Sequence, residues 1–151
     1  MKEHEAVVTW ERQGAAFVDH RYSRAHRWAF DGGVEVPASA SPHVVPAPHS
    51  VAAAVDPEEA FVAALASCHM LWFLSIAARD GWVVERYRDA ARGSMGRNAE
   101  GRVAMLEVIL DPQIEFSGAA PDAGALAGLH HRAHEECYLA NSVRTVVRVE
   151  A

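Results

Sequence analysis

Two cysteines, Cys68 and Cys137, stand sixty-nine positions apart in a chain of 151 residues. Two thiols in a chain this long do not make a disulfide scaffold, so they act singly, as a reversible redox pair, or as metal ligands. Cys68 lies in the apolar run 60–78, where a cysteine also serves as a small, inert hydrophobe. As a nucleophile it would need help. It is eleven positions past Pro57, the expected helix start, and the helix dipole fades within a turn. A cation from elsewhere in the fold must then stabilise the thiolate. Arg24 and Arg27 are the candidates. A buried arginine in turn needs a carboxylate, and Glu58 at the helix start is available.

Cys137 closes the segment Ala133-His134-Glu135-Glu136-Cys137. One option for it is core packing. Another is metal: His130, His134 and Cys137 fall at i, i+4 and i+7, on one helical face, which suits zinc. His131 and His134 form a competing i, i+3 pair, and a helix dense in titratable groups is also what a solvated face looks like. No Gly-x-Ser-x-Gly elbow and no glycine-rich phosphate loop occurs, so serine-hydrolase and nucleotide chemistry have no support.

The composition limits the rest. Half the residues are hydrophobic and 23% are charged, which is ordinary globular usage. The formal net charge of −6 argues against a nucleic-acid surface. The length suits a single domain, 1–151. Residues 1–5 carry no basic stretch leading into an apolar core, so a cytoplasmic location with reduced thiols is expected. The run 60–78 reaches membrane-spanning length. It also contains Ser67, Cys68, His69 and Ser75 behind a glutamate-bearing start, and is read as a core helix, with no membrane partner.

The elements that must position these residues follow from pattern. Residues 6–10 and 23–30 read as strands, the second with Arg24, His26, Trp28 and Phe30 on one face. Gly14 and Asp31-Gly32-Gly33 mark turns. Residues 34–55 hold Pro37, Pro42, Pro46 and Pro48, and read as a long extended loop. Asp56-Pro57-Glu58-Glu59 is a capping box ahead of a helix that runs to about Asp80, with Gly81 as the C-terminal cap. Residues 82–92 and 102–110 read as strands, with 112–116 as an extension of the latter after a bulge. A second helix is expected over 121–139, and a last strand over 143–149. This order indicates an α+β fold with antiparallel hairpins. The central helix is apolar all round and must be covered on every side, most simply by homodimerisation.

Four elements resemble the OsmC/Ohr hydroperoxide reductases. Asp56-Pro57-Glu58-Glu59 leading into Ala63-Ala64-Leu65-Ala66-Ser67-Cys68-His69-Met70 is similar to that family's helix start and first cysteine, with its Glu-to-Cys spacing. Ala133-His134-Glu135-Glu136-Cys137 followed by Asn141-Ser142 resembles the segment around its second cysteine. Ser23-Arg24-Ala25-His26 before Asp31-Gly32-Gly33 resembles the strand that carries its arginine, and Arg27 is the other candidate. The order of elements agrees along nearly the whole chain. The resemblance implies an intertwined homodimer with antiparallel sheets around a central apolar helix. It further implies a thiol peroxidase without cofactor, in which Cys68 is peroxidatic, Cys137 resolves it, and Arg24 and Glu58 form an electrostatic pair. The substrate would be an organic hydroperoxide, its tail met by Leu65, Leu71, Trp72 and Phe73, and the reductant a dithiol of lipoyl or thioredoxin type. Tyr138 stands where the family often has proline, and Cys68-His69-Met70 fits an OsmC-like subgroup. The alternatives are a zinc-binding protein using His130, His134 and Cys137, and a non-catalytic stress protein of the same fold that binds a small apolar ligand.

Overall fold

The computed structural model describes residues 1–150. The chain divides into two compact units, residues 1–60 and the remainder from Phe61. The first holds strands β1 (Ala6–Thr9), β2 (His26–Phe30) and β3 (Glu35–Ala38) in one antiparallel sheet of order β1-β2-β3. The Asp31-Gly32-Gly33 turn is formed as expected, with Gly33 at φ +89° and its N–H donating to the Phe30 carbonyl. The expectation of loop throughout 34–55 needs correcting, because residues 35–38 pair with β2. Proline is tolerated there because β3 is an edge strand. Arg24 lies two residues before β2 rather than on it.

Helix α1 spans Pro57–Arg79. Its start is a reciprocal capping box: Glu59 N–H donates to Asp56 Oδ1 at 2.8 Å, and Asp56 N–H to Glu59 Oε1 at 2.9 Å. Its end is a Schellman turn. Trp82 N–H bonds the Ala77 carbonyl, Gly81 N–H bonds that of Ala78, and Gly81 supplies the positive φ.

The second unit contains two sheets. Strands β4 (Val83–Asp89) and β7 (Pro112–Ser117) form an antiparallel pair. Strands β5 (Arg92–Arg97), β6 (Val103–Leu110) and β8 (Val146–Val149) form the other, in the order β5-β6-β8. Three details depart from pattern. The expected strand 82–92 breaks at Ala90 and Ala91, so its two halves join different sheets. The segment after Pro112 pairs with β4 instead of extending β6. The β6–β8 pairing is parallel, which the return through the second helix, α2 (Ala123–Glu136), permits.

Two apolar clusters fill this unit, and α1 serves both. Phe73, Ile76 and Ala77 pack with Leu129 and Ala133 of α2, while Val62 and Leu65 pack with Val108 and Leu110 of β6. Gly93 of β5 is required by this packing. A Cβ there would lie 2.6 Å from Met105 Sδ and 2.7 Å from Val62 Cγ2. The opposite face of α1, with Ala63, Ala64, Ser67, Leu71, Ser75 and Ala78, is exposed. The helix is long and apolar enough to cross a membrane, yet its other face builds both cores and buries His69. Coverage on all sides, expected from the sequence, is thus not supplied by the described residues of this unit.

Candidate active site

The C-terminal end of α2 places Cys137. Asp122 caps the helix start by accepting from Ala125 N–H at 2.8 Å. Leu129 and Ala133 turn inward, and the helix stops at Glu136, so that Cys137 is its C-cap and not, as expected, an interior residue. A single 3-10 turn, Ala140–Ser142, folds back over it. Asn141 N–H donates to the Cys137 carbonyl at 3.0 Å, and Ala140 N–H approaches Sγ at 3.4 Å. The side chains of Asn141 and Ser142 brace the turn by donating to the carbonyls of Glu135 and Tyr138. Cys137 is 1% exposed. Burial pushes its thiol up, and the neighbouring Cys68 sulfur adds to that. The N–H groups of Ala140 and Leu139 pull the other way without cancelling it.

Cys68 meets it from α1. The Cys68 sulfur is near enough to raise the Cys137 thiol pKa, and both thiols are free. Their surroundings differ: Cys68 is half-buried and opens onto a shallow cleft of about 290 Å³, lined also by Leu71, Trp72, Ser75 and Tyr138. Trp72 and Tyr138 stand edge to face, 5.4 Å between ring centroids. Leu65 and Phe73, expected to line a pocket, lie in the core instead, because they share the buried face of α1. Ser75 and Tyr138 were not anticipated as lining. Ser75 follows Cys68 by seven positions, a spacing that shares its helix face.

In the first unit, Arg24 is half-buried. Its guanidinium donates to the carbonyls of His20 and Tyr22 and lies 3.8 Å from the Tyr22 ring centroid. Its own N–H donates to the His49 carbonyl at 2.8 Å. Arg27 is exposed and faces Glu35 across the strands at 3.4 Å, so the two arginines are differently placed. Among the described residues Glu58 does not pair with either: its Oε2 is buried without a hydrogen-bond partner.

The zinc face predicted from spacing does not assemble. Among the described residues no group of three or more His, Cys, Asp or Glu side chains is placed to hold a metal. The reason is the direction of His130. Its Nδ1 lies 3.0 Å from Nε2 of His69, deep between α1 and α2, while His131 reaches outward to Glu135 at 3.4 Å. The buried His69–His130 pair escaped sequence reasoning, although a lone histidine on the Val62–Leu65–Phe73–Ile76 stripe was a visible signal.

Comparison with known proteins follows the same lines. Residues 49–151 match the OsmC family model, described as OsmC-like protein. The chain is 57% identical to an OsmC-like protein of unknown function from Vibrio cholerae, covering 99% of both chains with a TM-score of 0.97. The organic hydroperoxide resistance protein OhrB of Bacillus subtilis shares the fold at 18% identity, over 99% of this chain and 97% of that one, TM-score 0.71. An organic hydroperoxide resistance protein OsmC from Legionella pneumophila does so at 17% identity, over 100% and 98%, TM-score 0.70. No curated protein matches. By its family match and its 57% identical relative, the chain belongs to the OsmC-like proteins and has their mixed α+β fold.

Proposed function

We propose that this protein is a cysteine-based peroxidase that reduces organic hydroperoxides, working as a single-domain subunit of a cytoplasmic homodimer. One observation carries the reading: two free thiols are neighbours, one open to an apolar cleft and the other sealed beneath a helix end. Some structural relatives are named as organic hydroperoxide resistance proteins, and this is the chemistry those thiols suit.

The Cys68 thiolate attacks the terminal peroxide oxygen. The O–O bond breaks, the alkoxide leaves and takes a proton as the alcohol, and Cys68 becomes a sulfenic acid. Cys137 then attacks the Cys68 sulfur, its thiol proton leaves with the hydroxyl as water, and a Cys68–Cys137 disulfide forms. An external dithiol, of lipoyl or thioredoxin type, reopens it by exchange and is itself oxidised. Leu71, Trp72 and Tyr138 would hold the apolar tail. Arg24 is assigned to the peroxide oxygens, since arginine stays charged and offers several donors. Glu58 is assigned as its partner, supported by its buried, unpaired oxygen, which calls for a cation. The exposed apolar face of α1 and the exposed valines Val7 and Val8 of β1 support a second copy as their cover.

The test is intact mass after one equivalent of cumene hydroperoxide. Loss of two hydrogens in the wild type, absent from Cys68→Ser and Cys137→Ser, is expected. An unchanged wild-type mass, with no dithiol-dependent peroxide consumption, sinks the proposal.

A further inference from the structure

We infer that the buried pair His69–His130 is a register lock that positions the two thiols against each other. This rests on the thiol-pair reading above. The two rings lie 1% and 4% exposed, nearly parallel at 10°, with Nε2 of His69 and Nδ1 of His130 3.0 Å apart. His69 follows Cys68 directly, and His130 stands two helical turns before Cys137 on α2. The hydrogen bond therefore joins the two helices that carry the sulfurs.

What makes the pair informative is its cost. The outer nitrogens, Nδ1 of His69 and Nε2 of His130, are buried without hydrogen-bond partners. Burial holds both rings at a pKa of about 4, with the ring of the other histidine also lowering that of His69. Both are neutral at pH 7, so one inner proton is shared, leaving one orphan donor and one orphan acceptor. Half-satisfied polar groups in a core are less favourable than leucines of similar volume. Their best-attested use is to fix register. Apolar contacts such as Phe73 on His130, 4.5 Å between centroids, are non-directional and let helices slide. A hydrogen bond is directional and does not. Another side-chain tie between these segments, Arg132 to Asp80, sits at the solvent-exposed end of α1. Disulfide formation demands a narrow Cβ–Cβ separation, so a small slide of α1 on α2 would be felt at the sulfurs first.

The test compares His69→Leu/His130→Leu with His69→Gln/His130→Asn, in which amides stand near the bonded nitrogens. Full-length reduced protein receives one equivalent of cumene hydroperoxide. Sulfenic acid is followed with dimedone, disulfide by intact mass, and the disulfide potential against a dithiothreitol redox buffer. In the leucine variant we expect sulfenic acid to form at the wild-type rate. Disulfide closure should slow by about tenfold and the disulfide should lose about tenfold in equilibrium stability, which is about 30 mV. Its melting temperature should hold or rise, and the amide variant should recover closure. The lock is overturned if closure and potential stay at wild-type values in the leucine variant, or if the melting temperature falls and both chemical steps slow together. If the leucine pair does not fold, His130→Leu alone removes the same bond and is judged by the same readouts. A wild type that forms no disulfide defeats the thiol-pair reading itself, whereas a normal wild type with an indifferent leucine variant defeats only the lock.

Discussion

Cys68 and Cys137 are neighbours, yet one sits half-buried in the middle of a helix and the other is sealed at a helix end. Cys68 opens onto a cleft with aromatic walls, and Cys137 is wrapped by a 3-10 turn, with burial raising its thiol pKa. The difference teaches how two chemically identical groups take different tasks. A sulfur that must meet a dissolved peroxide needs access. A sulfur that must wait for its partner's oxidation is better kept protonated and out of reach, so that it is not itself consumed.

The largest break in this contrast is Cys68→Ser. Peroxide consumption with a dithiol should fall on the order of 10³-fold, because the nucleophile is lost. Iodoacetamide followed by peptide mapping should label Cys68 well before Cys137 in the reduced wild type, and equal labelling would abolish the distinction. Cys137→Ser is the milder lesion. Its first turnover should proceed and then stop at a sulfenic acid that dimedone captures, with steady turnover down roughly tenfold or more if a dithiol must resolve it unaided.

Next comes pH. The buried His69 and His130 stay neutral down to about 4, whereas in the unfolded chain each takes up a proton near its ordinary 6.5. The unfolded state therefore binds more protons between those values. The histidine contribution to stability should be full above pH 6.5, fall as pH drops towards 4, and level off below that, by on the order of a few kcal/mol in all. Thermal melts across this window check it, and the double leucine variant should lack the histidine part of the slope. The smallest effect is expected of Trp72→Ala. Removing one aromatic wall should raise KM for cumene hydroperoxide about five- to tenfold with kcat nearly unchanged, since it removes binding common to ground and transition state.

Much of this was legible in residue order. The Asp56–Glu59 capping box, the Gly81 stop and the Asp31-Gly32-Gly33 turn are local, settled by side chains within a few positions of the backbone they bond. The apolar stripe through Val62, Leu65, Phe73 and Ile76 is likewise periodic and readable. Sheet membership was not. Residues 82–92 look like one strand because no glycine or proline interrupts them at Ala90 and Ala91, but pairing partners are chosen far along the chain. Proline in 34–55 excluded a central strand yet could not exclude the edge strand β3. Spacing placed His130, His134 and Cys137 on one face, but spacing does not say which way a ring turns, and His130 turned to His69.

The sequence by itself determined the two helices, both ends of α1, the family and the two cysteine-bearing segments, since each rests on local chemistry and period. Only the tertiary structure decided that the two sulfurs meet, that one is open and the other sealed, and that a histidine pair ties their helices. Those properties belong to contacts across sixty or more positions, where burial and direction are set by packing, which a linear pattern does not contain.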